Sequence, residues 1–139
     1  MKRFVLDASV SLAWFLDDPV PDLAQRVRRS LENGSHALVP LLWHLEMANG
    51  LAIGQRRGIL TDSRADCCLD DVEGLMASVI ENSAVTISLR QALSVARAFG
   101  LTAYDAAYLE TARREHLPLA TLDRQLVAAA SKAGVQIVS

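Results

Sequence analysis

Residues 100–138 read GLTAYDAAYLETARREHLPLATLDRQLVAAASKAGVQIV. In this stretch, two helical patterns alternate with two short apolar runs. The runs LPLA (117–120) and VQIV (135–138) suit short strands, and the segments before each of them suit helices. Strands that alternate with helices are typical of a parallel sheet covered by helices. This end of the chain therefore predicts an α/β domain.

The rest of the chain continues the alternation. We expect a three-layer domain with a central, mostly parallel sheet of four to five strands flanked by helices. The other predicted strands end in FVLD (4–7) or span HALVP (36–40) and SAVTIS (83–88). A long helix is expected over 41–58, weakened by Gly50 and Gly54, and another over 61–82. The predicted buried stripe of the second helix is Leu69, Val72, Leu75, Met76 and Val79.

Composition indicates one soluble globular domain over residues 1–139, because 51% of the residues are hydrophobic and 22% are charged. The net charge of −2 argues against a protein that coats nucleic acid, although a nuclease with a local basic rim is compatible with it. We find no membrane-spanning run and no signal-peptide pattern. Cys67 and Cys68 are adjacent and have no further cysteine to pair with, which favours a reducing cytoplasm.

Four acidic residues stand where apolar neighbours are expected. Asp7 ends the first strand, and Asp123 follows the strand at 117–120 by a short step. In a parallel sheet, ligands bind beyond the carboxyl ends of the strands, so these two acids are candidates for a site.

The other two acids lie on apolar helix faces. Asp105 shares its face with Tyr108, Leu109 and Ala112, whereas Glu110, Arg113 and Arg114 lie on other faces. The helical neighbours of Glu46 are Leu42, Trp43, Asn49, Gly50 and Ile53.

Each acid taken singly also has a structural explanation. Asp7 or Ser9 would cap the first helix and Asp123 the last, and capping alone is the favoured interpretation of either aspartate. Thr102 and Asp105 have the spacing of a capping box. Glu46 could be a buried acid satisfied by one hydrogen bond, or it could lie at an interface.

Taken together, the four acids favour a cation site. Two unpaired carboxylates about 4 Å apart repel by roughly 4 kcal/mol at an effective dielectric constant near 20. A ligand set made only of oxygen atoms favours Mg²⁺ or Mn²⁺, and the scattered histidines 36, 44 and 116 form no zinc-ligand pattern. Such a site suits phosphodiester hydrolysis.

At these residues the chain resembles the PIN-domain ribonucleases, and most closely the VapC toxins of bacterial toxin–antitoxin pairs. The resemblance is carried by FVLDASVSLAWFL (4–16), LVPLLWHLEMAN (38–49) and residues 101–138, and it extends over essentially the whole chain. It implies an acidic quartet of Asp7, Glu46, Asp105 and Asp123 that binds Mg²⁺ or Mn²⁺. Ser9, Thr121 and Asn49 match supporting positions of the family.

The resemblance also implies an RNA substrate, cleavage that leaves 5′-phosphate and 3′-hydroxyl ends, a homodimer and a VapB-type antitoxin partner. The helix around Glu46 is apolar nearly all round, which agrees with a protein contact there. No residue is assigned to RNA binding.

Other functions remain as alternatives. A receiver domain, a haloacid-dehalogenase-type phosphatase and nucleotide-binding glycine loops lack their expected residues here. A non-catalytic PIN-like binding module and a housekeeping RNA-processing nuclease stay open, and a metal-dependent cleavage assay separates the first of these from an enzyme.

Overall fold

A computed structural model describes residues 2–139 of the chain, so Met1 of the predicted 1–139 domain lies outside the described residues. Four parallel strands form the sheet: β1 (Arg3–Leu6), β2 (His36–Val39), β3 (Ile80–Asn82) and β4 (Leu119–Ala120). Their order in the sheet is β3-β2-β1-β4. The predicted α/β fold with a parallel central sheet is confirmed.

Seven helices flank this sheet within residues 2–139, and each connection between consecutive strands contains two of them. The helices are α1 (Ala8–Leu16), α2 (Asp22–Glu32), α3 (Leu42–Arg56), α4 (Asp62–Met76), α5 (Leu89–Phe99), α6 (Ala103–Glu115) and α7 (Arg124–Ala133). None of the helices in the described part of the chain is both long and apolar enough to cross a bilayer.

The core is built on β1 and α6. Phe4, Val5 and Leu6 of β1 are fully buried, as expected for a strand with neighbours on both sides and helices on the sheet. α6 contacts β1, β4, α5 and α7, and all its residues from 106 to 112 are buried. One of them is Glu110, which was predicted to lie on a different helix face from Asp105. In the structure, α5 covers it.

The third strand lies at a different place from the one predicted. SAVTIS (83–88) is not a strand, and β3 is formed by Ile80–Asn82, which the sequence assigned to the preceding helix. That helix ends at Met76, and Ile80 is buried where it pairs with Ala37 of β2. Tertiary pairing with β2 thus overrides the local helical pattern.

Two smaller predictions also need correction. The buried face of α4 is Ala65, Cys68 and Val72, whereas Leu69 and Met76 of the predicted stripe are exposed. The final VQIV run forms no strand beyond one bridge from Ile137 to Leu119.

α3 runs through both of its glycines because they permit close packing against α1. A Cβ atom on Gly50 would lie 2.5 Å from a methyl carbon of Leu12, and one on Gly54 would lie 2.9 Å from a methyl carbon of Leu16. The glycines predicted to weaken this helix therefore set its distance from α1.

Candidate active site

The chain reverses its direction of travel across the sheet between β1 and β4. From β1 it adds β2 and then β3 on one side, and it returns to add β4 on the other side of β1. In open α/β sheets, such a reversal opens a crevice at the carboxyl ends of the two strands. Asp7 directly follows β1, and Thr121 directly follows β4.

All four predicted acids line one cleft at this position, which has a volume of about 340 Å³. The predicted supporting residues Ser9 and Asn49 line it as well, and Asn49 is exposed. The apolar part of the lining comes from the packed faces of α1 and α3. The complete lining is Asp7, Ala8, Ser9, Leu12, Glu46, Asn49, Gly50, Ile53, Asp105 and Asp123.

Asp7 is held by two hydroxyl groups and does not cap a helix. The carboxylate is 5% exposed, and its Oδ2 atom accepts hydrogen bonds of 2.6 Å from both Ser9 Oγ and Thr121 Oγ1. Although Asp7 occupies the N-cap position of α1, its side chain makes no capping bond. The capping explanation therefore does not describe Asp7.

The same two hydroxyls tie the end of β1 to the segment after β4. Ser9 Oγ accepts the backbone N–H of Leu122 at 3.0 Å, and Thr121 Oγ1 accepts that of Asp123 at 3.0 Å. Ser9 and Thr121 thus contact an acid of the predicted quartet directly and fix the backbone that carries another.

Asp123 does cap a helix. Its Oδ1 atom accepts the backbone N–H groups of Gln125 at 2.8 Å and Leu126 at 3.2 Å at the start of α7. Asp105 forms half of the predicted capping box, because its backbone N–H donates to Thr102 Oγ1 at 3.1 Å. The side chain of Asp123 therefore both caps a helix and lines the cleft, whereas Asp105 takes part in its cap through its backbone N–H and lines the cleft with its side chain.

Glu46 reaches the cleft from α3, and a tyrosine holds it there. The hydroxyl of Tyr108 donates a 2.6 Å hydrogen bond to Glu46 Oε1, and the Tyr108 side chain is fully buried. In the sequence, the helical pattern indicates Tyr108 only as an apolar neighbour of Asp105. A buried tyrosine hydroxyl needs a hydrogen-bond partner, so the predicted burial of Tyr108 was the signal that could have indicated a polar residue beside it.

Burial and mutual repulsion destabilise the charged form of three of these acids. Burial is the main cause of the raised pKa of Asp7, Glu46 and Asp105. Neighbouring charges add to it: Asp123 raises the pKa of Asp7 and of Asp105, and Asp7 raises those of Glu46 and Asp105. Hydrogen bonds from the hydroxyls oppose the rise at Asp7 and Glu46.

No ion pair joins any of the four carboxylates to a Lys, Arg or His within the described residues. Oxygen donors with excess negative charge fit a hard divalent cation such as Mg²⁺ or Mn²⁺. Among residues 2–139, however, no three acidic, His or Cys side chains form a closed ligand set. The cleft is therefore marked as a candidate cation site by its negative charge and not by a preformed set of metal ligands.

A second, larger cleft of about 550 Å³ lies between α1 and α2 and also contains acids. Two of those acids pair with one arginine: Arg28 binds Asp71 at 2.7 Å and Glu32 at 3.0 Å. Arg28 and Arg29 both line this cleft against its three acids, Asp18, Glu32 and Asp71, whereas the lining of the first cleft contains four acids and no cationic side chain among the described residues.

Fold and cleft together define a class of protein, a small parallel α/β domain with an all-carboxylate site at its strand ends. The family model described as PIN domain matches residues 4–132, and the chain belongs to this family. The resemblance read from the sequence is confirmed.

Individual relatives agree with this assignment. Ribonuclease VapC3 of Pyrobaculum aerophilum is 29% identical over 124 residues, which cover 89% of this chain and 92% of that protein. The crystal structure of PAE2754 from Pyrobaculum aerophilum has a TM-score of 0.72 at 26% identity, over 99% of this chain and 84% of the other. The crystal structure of FitAcB from Neisseria gonorrhoeae has a TM-score of 0.67 at 20% identity, over 98% and 96%, and supports the fold alone.

Proposed function

We propose that this protein is an Mg²⁺- or Mn²⁺-dependent endoribonuclease and the toxin of a type II toxin–antitoxin pair. The observation that carries the proposal is the cleft at the β1/β4 reversal, where four carboxylates meet without a cationic partner in the described residues. Similarity to Ribonuclease VapC3 supports RNA as the substrate class. The whole chain, residues 1–139, would form the single nuclease domain and act in the cytoplasm.

In this proposal Asp7, Asp105 and Asp123 hold the metal ion, and Glu46 completes the site. When bound, the ion supplies the positive charge that activates water and offsets charge on the phosphate oxygens. Ser9 and Thr121 fix the Asp7 carboxylate through their 2.6 Å hydrogen bonds. The Oδ1 atom of Asp123 serves the α7 cap, so its other carboxylate oxygen is the one available for the ion.

The products proposed are 5′-phosphate and 3′-hydroxyl ends. No histidine lines the cleft among the described residues, so the chain offers no histidine pair for a route through the ribose 2′-hydroxyl. Fragments ending in 2′,3′-cyclic phosphate would contradict this mechanism.

We also propose a VapB-type antitoxin and a second copy of the chain as protein partners. Two leucines of the α3 region support a protein contact, because Leu41 is 58% and Leu45 is 75% exposed. Relief of toxin-induced growth arrest by a co-expressed neighbouring gene product would distinguish a toxin from a housekeeping nuclease. A monomeric mass at micromolar concentration would contradict the homodimer.

The deciding experiment is cleavage of total cellular RNA by the purified protein with Mg²⁺ or Mn²⁺, with and without EDTA. Asp7→Asn should abolish cleavage, whereas Asp66→Asn, which changes an exposed acid on α4, should leave it unchanged. Discrete cleavage that needs both the metal and Asp7 would support the nuclease. Folded protein that binds Mn²⁺ without cleaving any RNA would favour the non-catalytic binding module.

A further inference from the structure

We propose that Tyr108 is a positioning residue, whose hydroxyl holds Glu46 towards the aspartates and thereby sets the metal affinity of the cleft. This inference rests on the metal site of the proposed function. It assigns a role to a side chain that does not itself line the cleft.

The contact is short, and its donor side chain is fully buried. Tyr108 Oη lies 2.6 Å from Glu46 Oε1, a distance typical of a hydroxyl that donates to a carboxylate. The same oxygen accepts the backbone N–H of Ala8 at 3.4 Å, next to Asp7 in the chain. One phenol oxygen therefore connects α6, α3 and the start of α1.

Glu46 needs such a restraint more than the other acids do. It sits on α3, away from the strand ends, on a side chain with more rotatable bonds than an aspartate has. Asp7 and Asp105 repel it, and it is only half-buried, so solvent is the favoured alternative position. The buried Tyr108 hydroxyl, which donates to the Glu46 carboxylate, counteracts both effects.

The sequence spacing suits this role. Tyr108 follows Asp105 by one helical turn on α6, so one helix face brings Asp105 into the cleft and also restrains an acid from α3. A phenylalanine would fill the same core space, so packing alone does not account for the hydroxyl. The hydroxyl is therefore the group to test.

The first test compares two matched variants, Tyr108→Phe and Tyr104→Phe, each of which removes one hydroxyl. Tyr104 is exposed and does not line the cleft. Mn²⁺ affinity is measured by electron paramagnetic resonance of the free ion, and unfolding in EDTA reports on the fold. We expect about 10- to 100-fold weaker Mn²⁺ binding for Tyr108→Phe and wild-type binding for Tyr104→Phe. Wild-type affinity in folded Tyr108→Phe would overturn the inference.

A double variant distinguishes action through Glu46 from a general structural effect. In a Glu46→Ala background, Tyr108→Phe should change Mn²⁺ affinity by less than about twofold, because the acceptor is already gone. The same loss in both backgrounds would contradict a positioning role.

Asp7→Asn separates this inference from the proposed function. If Asp7→Asn loses Mn²⁺ and Tyr108→Phe does not, only the positioning role fails. If neither variant weakens binding, the metal site itself fails.

A third measurement leaves Tyr108 in place and so does not depend on the folding of Tyr108→Phe. The chain has two tyrosines, so Tyr104→Phe leaves Tyr108 as the single tyrosine for a ¹³C ring label. Titration with Mg²⁺ should shift the Cζ resonance of Tyr108, and the shift should vanish in the Glu46→Ala background. A resonance that does not respond to Mg²⁺ would overturn the inference.

Discussion

Two regions of this protein bury acids in opposite ways. In the acid cleft, Asp7, Glu46, Asp105 and Asp123 meet one another, and within the described residues their side chains form no ion pair with a cationic side chain. In the Glu110 seam between α5 and α6, Glu110 accepts a 2.7 Å hydrogen bond from Gln91 and binds Arg113 at 2.7 Å.

The comparison shows that burial by itself does not identify a functional acid. Glu110 is 4% exposed and thus more buried than Glu46 or Asp105, yet its charge is balanced inside the protein. The cleft differs because its charge is left for something outside the chain to balance. α1 packs closely on α3 at Gly50 beside the cleft, whereas a hydrogen bond from Gln91 to Glu110 joins α5 to α6 in the seam and Arg113 balances Glu110 from the same helix.

The largest expected effect belongs to Asp105→Asn. Loss of a metal ligand removes several kcal/mol of transition-state stabilisation, so single-turnover RNA cleavage should fall by about 10³-fold or more. Because burial and neighbouring acids raise the pKa of Asp105, its charge is unfavourable to folding at neutral pH. The free energy of unfolding in EDTA should therefore not decrease in this variant, as urea denaturation would show. Retained cleavage in the folded variant would remove Asp105 from the site.

A bound metal ion should stabilise the folded protein. At a concentration 100 times its dissociation constant, Mg²⁺ or Mn²⁺ should raise the free energy of unfolding by about 2.7 kcal/mol. Asp7→Asn should lose most of this gain, and Glu110→Ala should keep all of it, because the seam balances its own charge. An equal gain in wild type and Asp7→Asn, measured by urea denaturation, would place the ion elsewhere.

Glu110→Ala should destabilise the protein by about 1.5 kcal/mol, because two hydrogen bonds to a buried carboxylate are lost. Arg113 is half-exposed and can be hydrated after the change, which keeps the cost moderate. The loss should be the same in EDTA and in Mg²⁺. A change in Mn²⁺ affinity would contradict the separation of the two regions.

The smallest effect should come from two matched glycine substitutions. Gly50→Ala places a methyl group 2.5 Å from Leu12 beneath the cleft and should cost about 1 kcal/mol through overpacking. Gly74→Ala, on α4 with nothing within 4 Å, should instead stabilise by about 0.5–1 kcal/mol through helix propensity. Thermal unfolding of the pair would test whether packing shapes the cleft, and equal shifts would argue against it.

Much of the fold could be predicted because its strong signals are local. Strand β1 and the start of α1 follow from an apolar run that ends in Asp7, and Thr102 caps α6 as its spacing indicated. The third strand could not be predicted, because Ile80 is extended only through its pairing with β2. The buried residues of α4 could not be predicted for the same reason, because they depend on the elements against which the helix packs.

The candidate site could be predicted from the sequence about as well as the fold. Asp7 and Asp123 come from strand ends and Asp105 from an inward helix face, and the structure places these three with Glu46 in one cleft. Sequence alone favoured capping for Asp7, and only the β1–β4 pairing shows that Thr121 binds its carboxylate instead.

The sequence by itself thus determined the α/β alternation, the family and the four acids, since each depends on residues near one another in the chain. Only the tertiary structure decided which distant groups hold these acids. Thr121 lies 114 residues from Asp7, Tyr108 lies 62 from Glu46 and Gln91 lies 19 from Glu110, whereas Arg113, which balances the charge of Glu110, is only three residues along α6. A distant donor is set by what lies within a few ångströms in space, and no local pattern records that distance.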